Sequence, residues 1–333
     1  MSLDPAVAAV RLAVRRCLLV EVGDHPVLVA CSGGADSLAL LSATVFETRG
    51  RGPVVGVSVD HGLQDGSAEH ARSVVDQMER LGVDDTVAVR VEVTTSGQGV
   101  EAAAREARYA ALAEVAQRTD AAAVLLGHTR DDQAETVLLG LARGSGARSL
   151  AGMRAVFHPF RRPLLQITRA QTEAVCIAEH IDFWRDPHNK DPRFARARVR
   201  HRVLPVLEKE LGPGVAAALA RTAEMLQLDV EALDRLAEHA HQDVRRPAGL
   251  HTSALEIYDG AVMLRVLRLA ALEAGSPGTE LFHVHVLALT ELVYGPATTK
   301  QVQLPGHVTG YRDGDLLRFR PTSPKDASRP VAG

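Results

Sequence analysis

Ser32-Gly33-Gly34-Ala35-Asp36-Ser37 is a segment that can grip an anion. An apolar run of β character at 27–30 leads into it, and an apolar, helix-forming stretch follows over 36–48. A strand, a glycine-rich turn and a helix N-terminus in that order point backbone N–H groups at one spot. The helix dipole makes that spot favourable for an oxyanion. Ser32 and Ser37 add hydroxyl donors, and Asp36 adds an acid at the same switch point. The loop has no lysine, which separates it from the Gly-Lys-Ser/Thr loop of nucleotide hydrolases. A second cluster spans 127–136, where His128, Asp132 and Glu135 occur within ten residues. Asp132 and Glu135 are three apart, so on a helix they share one face. Acids in a first helical turn also complement the dipole, but that leaves His128, Gln133 and the anion loop unaccounted for. A third polar group, Asp60-His61-Gly62, ends another apolar run.

These clusters need elements to hold them, and the first half of the chain alternates strand and helix signals. Strands are expected at 27–30, 54–59, 86–93 and 122–127, with helices at 36–48, 67–81, 100–118 and 132–142. Short β-branched runs separated by amphipathic helices predict an α/β fold with a doubly wound, mainly parallel sheet. Ligands then bind outside the carboxyl ends of the strands, where all three clusters fall. A helix capped by Thr168 is expected to about residue 180. Gly212-Pro213-Gly214 marks the expected domain boundary. Catalytic residues 1–212 would precede a smaller, mainly helical domain over 215–322, closed by short strands at 302–304, 308–312 and 316–320. Residues 323–333, polar and proline-containing, read as a disordered tail. His283 and His285 alternate as on a strand and have no acid or cysteine companions that would make a metal site.

At 333 residues, 46% apolar and 24% charged, the chain suits two globular domains, each with its own core. Aromatics at 4% argue against extended stacking platforms for single-stranded nucleic acid. No segment has the apolar length of a membrane span, and Asp4, Arg11, Arg15 and Arg16 interrupt any signal-type run. Cys17, Cys31 and Cys176 are scattered, giving neither a disulfide framework nor a metal knuckle. The expected compartment is the cytoplasm. The net charge of −3 hides an asymmetry: residues 143–202 hold thirteen Arg/Lys against five Asp/Glu, a balance of +8. Several prolines break this block, so its arginines are expected to lie over an open surface as a phosphate-backbone footprint.

Ser32–Ser37 resembles the pyrophosphate-gripping loop of the ATP pyrophosphatase (PP-loop) superfamily, which NAD, GMP and asparagine synthetases share. The remaining motifs narrow the resemblance. Val59-Asp60-His61-Gly62-Leu63 and Gly127-His-Thr-Arg-Asp-Asp-Gln-Ala-Glu-Thr136 follow in the order and spacing of the tRNA(Ile)-lysidine synthase family. Glu101-Ala-Ala-Ala-Arg105-Glu-Ala-Arg108-Tyr109 is similar to its E-x-x-A-R-x-x-R-Y helix. Phe194-Ala-Arg196-Ala-Arg-Val-Arg200 with Leu204-Pro205 is similar to its F-x-R-N-x-x-R…L-P segment, except that Ala197 stands where Asn is usual. The resemblance is good over 25–210 and loose beyond.

The resemblance implies a two-step ligation. ATP adenylates the C2 oxygen of the cytidine at the first anticodon position of an isoleucine tRNA with a CAU anticodon. The L-lysine ε-amine then displaces AMP, leaving lysidine. It implies ATP as co-substrate and Mg2+. It gives catalytic roles to Asp36, His128, Asp132 and Glu135, with Asp36 as the Mg2+ ligand. Nucleotide binding falls to Ser32, Gly33, Gly34, Ala35, Asp36, Ser37, Asp60 and His61, and substrate binding to Arg105, Arg108, Asp132, Glu135, Arg196 and Arg200. A homodimer is left open. Two other activities fit parts of the pattern. A tRNA sulfurtransferase would use Cys31, although no second cysteine lies near it, and Cys31 otherwise reads as a small strand residue. An ATP-dependent amide synthetase would act on a small acid without RNA. Trp184, the sole tryptophan, reads as a packing anchor or a base-stacking ring.

Overall fold

The computed structural model describes residues 3–19, 23–60, 62, 67–91, 100–144, 146–186, 191–295 and 300–322. His61, residues 92–99, Ser145, 187–190 and the 323–333 tail fall outside them. Two compact units form: Met1–Gly144 with Ser149–Glu224, and Ser145–Arg148 with Met225–Gly333. In chain order the first unit contains α1 (Pro5–Leu18), β1 (Val27–Ala30), α2 (Ala35–Glu47), β2 (Val54–Asp60), α3 (Ser67–Arg80), β3 (Asp85–Arg90), α4 (Val100–Arg118), β4 (Ala123–Leu126) and α5 (Arg130–Arg143). After the short α6 (Ala147–Leu150) come β5 (Val156–Phe157), β6 (Phe160–Arg161), α7 (Arg169–Ala178), α8 (Ala195–Arg198), a π-helical turn (Val199–Val203) and α9 (Leu204–Glu210).

The sheet order is β3-β2-β1-β4-β6-β5, parallel throughout except for the β5–β6 pair. Alternation along the central strands divides the core. Val27 and Val29 face α1, α2 and α7, while Leu28 packs with Leu112 and Val115 of α4. All four residues of β4 are buried, as a strand covered on both faces requires. Ala30 pairs with Val57 on one side and Leu126 on the other, so β1 and β4 end level while β2 runs three residues further, to Asp60. The chain leaves β1 toward β2 on one side and β4 on the other, which makes the β1/β4 edge the switch point where such sheets bind ligands. The expected elements appear within a few residues of their ends. Beyond the expected elements the structure has α1, whose Val7, Val10, Val14 and Leu18 are buried at helical spacing, and the short β5–β6 pair.

The helix α10 (Val215–Val244) follows Gly212-Pro213-Gly214. The units divide within it, at Glu224/Met225, because Ala216 and Leu219 still pack on Ala134, Val199 and Leu204. The second unit adds β7 (Arg245–Arg246), β8 (Gly249–His251), α11 (Thr252–Leu255), α12 (Gly260–Glu273), α13 (His283–Tyr294), β9 (Gln301–Leu304), β10 (Val308–Asp313) and β11 (Leu316–Pro321). Its strands form an antiparallel sheet in the order β7-β8-β11-β10-β9. The three C-terminal strands were expected, and β7 and β8 complete their sheet. His283 and His285 lie on a helix, not on a strand; the run around them buries Val286, Leu289, Leu292 and Val293 at helical spacing. None of the described helices is long and apolar enough to cross a membrane.

Candidate active site

An open cleft of about 1020 Å3 lies at the carboxyl ends of β1, β2 and β4. Its floor is the 32–37 loop. Gly33 takes φ +77°, and a Cβ there would stand 2.7 Å from Val74 Cγ2, so only glycine fits. Gly34 caps α2 without a side-chain hydrogen bond, which leaves the first-turn N–H groups facing the cleft. The Ser37 hydroxyl, itself buried, donates to the Gly34 carbonyl at 2.9 Å and accepts from Ser32 N–H at 3.2 Å. It braces the turn, while Ser32 remains exposed to the cleft. Trp184 N–H donates to the Gly33 carbonyl at 2.9 Å, and its ring packs against His70 at 4.0 Å. His70 Nε2 in turn lies 3.0 Å from the Ser32 carbonyl oxygen. Trp184 is thus a brace of the anion loop with one face toward the cleft.

The β4 loop approaches closely: a Cβ at Gly127 would stand 3.1 Å from the Asp36 carbonyl group. That contact brings the two motifs side by side. Asp36 is three-quarters buried, accepts a hydrogen bond from the Thr172 hydroxyl, and lies 3.6 Å from Arg169 Nε. Burial pushes its carboxyl up to about 6, against the opposing pull of Arg169 and Thr172. The loop–helix junction is therefore half-closed, because α7 packs over it. Asp60 ends β2 at the cleft and accepts from Gly62 N–H at 2.8 Å.

Asp132 and Glu135 do share a face of α5, but they are not free carboxylates. Asp132 accepts from the Thr129 N–H and hydroxyl at 2.9 Å each, from Arg169 Nη2 at 2.9 Å and from Arg200 Nη2 at 3.2 Å. Glu135 has no exposed surface and is gripped by Arg200 through Nε at 2.7 Å and Nη2 at 3.0 Å. Arg196 Nε lies 3.5 Å from the same carboxylate, and its Nη2 donates to Thr136 at 2.9 Å. Burial alone would raise the Asp132 carboxyl; Arg169, the Thr129 N–H and Arg200 outweigh it and hold it below the usual carboxylate range. His128 is pushed down to about 3, first by burial and then by Arg162, Arg108 and Arg105, against the opposing pull of Asp132, so its ring is neutral at pH 7. Its Nδ1 is buried with no hydrogen-bond partner.

The basic block is only in part an open surface: Arg143, Arg148, Arg154, Arg185, Arg193 and Arg202 are exposed, but others are not. Arg162 is buried with Nη2 on the Tyr109 hydroxyl at 3.0 Å, and Arg169, Arg196 and Arg200 turn inward to the acids. Buried carboxylates attract the nearest cations, and charge counting along the chain cannot see that. Arg105 and Arg108 also line the cleft; Arg105 donates to Tyr109 at 3.2 Å, and among the described residues neither is paired with a carboxylate. Arg169, Thr172 and His70 were not among the sequence candidates. Thr168 announced the helix that carries Arg169, but nothing in the spacing tied it to Asp36, 133 residues earlier. His61 lies outside the described residues.

The family model of the PP-loop domain matches residues 11–207. In fold the chain is similar to a U34-tRNA thiolase of Methanococcus maripaludis with a TM-score of 0.56, covering 67% of this chain and 80% of that one at 19% identity. Fold and anion loop together define a PP-loop enzyme. Within that class the chain is 48% identical to the tRNA(Ile)-lysidine synthase of Streptomyces coelicolor over 96% of its length and 99% of the relative's. It is 51% identical to the one of Thermobifida fusca over 94% of this chain and 97% of that one. The chain belongs to the tRNA(Ile)-lysidine synthase family, a family of ligases.

The raised Asp36 carboxyl has a consequence for stability. The folded protein holds this proton more tightly than the unfolded chain, whose value is 3.8. The contribution to folding is therefore present at low pH and lost as pH rises through about 6. Asp36→Asn should melt higher than the wild type at pH 8, by at most about 3 kcal/mol of stability, with the gap closing below pH 4, while pyrophosphate release is lost. A calorimetric melting series across pH checks this; a gap that does not change with pH would contradict it.

Proposed function

We propose that this cleft adenylates the C2 oxygen of the first anticodon cytidine of an isoleucine tRNA and then admits the ε-amine of L-lysine to displace AMP. The carrying observation is that the anion loop and Asp132 line one cleft, with Glu135 buried beside Asp132 and both carboxylates already holding cations. The C2 oxygen of cytosine is a poor leaving group, and adenylation makes it a good one. The 32–37 loop and the α2 N-terminus suit the pyrophosphate that departs. Asp36 fits Mg2+ in the mode where one carboxylate combines with substrate phosphates, since the described residues hold no cluster of three or more metal-binding side chains. Mg2+ there would neutralise phosphate charge.

The lysine ammonium falls to Asp132 and Glu135, supported by the three guanidinium groups (Arg169, Arg196 and Arg200) they bind in this state. Once one of those guanidinium groups is drawn off, the two carboxylates on one helix face are less fully neutralised, and the affinity of one for a proton rises. That acid then takes the ammonium proton, leaving an amine that can attack. His128, pushed to about 3, is too weak a base for this step and serves as a neutral hydrogen-bonding ring. Arg105 and Arg108, which have no carboxylate partner among the described residues, suit tRNA phosphates. Incubation with ATP, labelled lysine and tRNA lacking lysidine should put label into RNA with one AMP released per lysine; AMP release without RNA labelling would reject the reading. The double variant Arg105→Gln, Arg108→Gln should lower the slope of log tRNA affinity against log salt by about 1–2 units. An unchanged slope would place the phosphate contacts elsewhere.

A further inference from the structure

Arg169 is the first residue of α7, and its guanidinium spends its three nitrogens on three carboxylates from two motifs. Nε lies 3.6 Å from Asp36, Nη2 is 2.9 Å from Asp132, and Nη1 lies 3.7 Å from Glu135. Its position is fixed by its own backbone N–H, which donates to Asp131 at 2.8 Å, and by Thr172, which bonds both the Arg169 carbonyl and Asp36. Arg200 reaches only the α5 acids, so among the described residues Arg169 is the one ion-pair link between the anion loop and the acid pair.

We propose that Arg169 is a positioning residue that makes lysine binding conditional on nucleotide binding: it occupies the acid pair until the ATP phosphates draw its guanidinium toward the loop. This rests on the assignment of the lysine ammonium to Asp132 and Glu135. Three carboxylates (Asp36, Asp132, Glu135) face three guanidinium groups (Arg169, Arg196, Arg200), so the cluster is neutral as it stands. A lysine ammonium entering it would lose its hydration and find every carboxylate already engaged, which is unfavourable. ATP brings several negative charges to the loop beside Asp36, and the planar guanidinium fork matches phosphate oxygens as well as it matches carboxylates. Rotation of Arg169 from the α5 acids toward the phosphates leaves the acid pair one cation short, and the ammonium fills that place. Because the coupling is a binding linkage, lysine raises nucleotide affinity by the same factor.

The test is calorimetric lysine binding to the full chain with and without Mg2+ and α,β-methylene ATP, whose bridging carbon blocks adenylation. The wild type should bind lysine at least tenfold tighter with the analogue present, and the analogue at least tenfold tighter with lysine present. Arg169→Gln should bind lysine without the analogue and show a coupling factor near one. Arg169→Lys keeps the charge without the fork and should keep part of the coupling; it serves where the Gln variant does not fold. A role in folding alone would lower affinities or rates in these variants but leave the factor intact. Equal lysine affinity in both states, no measurable lysine binding with the analogue, or full coupling in Arg169→Gln would overturn the proposal. Failure of labelled lysine to enter RNA in the wild type would instead remove the reading beneath it.

Discussion

Charge balance at the edge of β1 and β4 is the constraint on which the site depends. Glu135 is fully buried and Asp132 nearly so, and an unpaired carboxylate at such depth costs several kcal/mol. The fold answers by delivering guanidinium groups from two later segments, Arg169 from the start of α7 and Arg200 from the π-helical turn after α8. A π turn shifts the side-chain register of a helix, and such turns gather at functional sites. Here it brings Arg200 onto Glu135 two-pronged, while Arg196 reaches Glu135 and Thr136 from the preceding helix. The network also limits neighbouring residues: a side chain at Gly127 would press on the Asp36–Ser37 backbone at 3.1 Å, so the glycine lets the two motifs approach.

The sheet was legible because its signals are local. Val27–Ala30, Val54–Asp60 and Ala123–Leu126 are short apolar runs buried on both faces, and each ends at a polar motif. The motifs announced the anion loop and the acid pair for the same reason: glycines at a strand–helix turn and acids three apart are short-range patterns. What stayed hidden was long-range. Nothing within the 143–202 block tells which arginines turn inward, since that depends on acids near residue 132 that become buried only when the sheet assembles. The result is a basic segment that neutralises the chain's own carboxylates as well as presenting charge outward. The α13 helix was misread from two histidines two apart, although the apolar residues after them carry helical spacing.

Cys31 separates the present reading from sulfur transfer on the same fold. Its thiol is buried and pushed up to about 12, and it points toward the Ser37 carbonyl at 3.7 Å, so it is a packing group beside the loop rather than a nucleophile. The similarity to a tRNA thiolase is one of fold alone. An amide synthetase acting on a small acid would share the loop and the AMP chemistry. The two ligations differ in which oxygen leaves with AMP.

That difference is directly measurable. In the proposed ligation the cytidine C2 oxygen is adenylated and expelled. tRNA carrying 18O at C2 of the first anticodon cytidine, incubated with unlabelled ATP and lysine, should yield AMP in which one phosphate oxygen is 18O, in proportion to lysine incorporated. Unlabelled AMP from that reaction, with 18O appearing in AMP when lysine labelled in its carboxylate is used, would show that an acid is activated instead and would contradict the account.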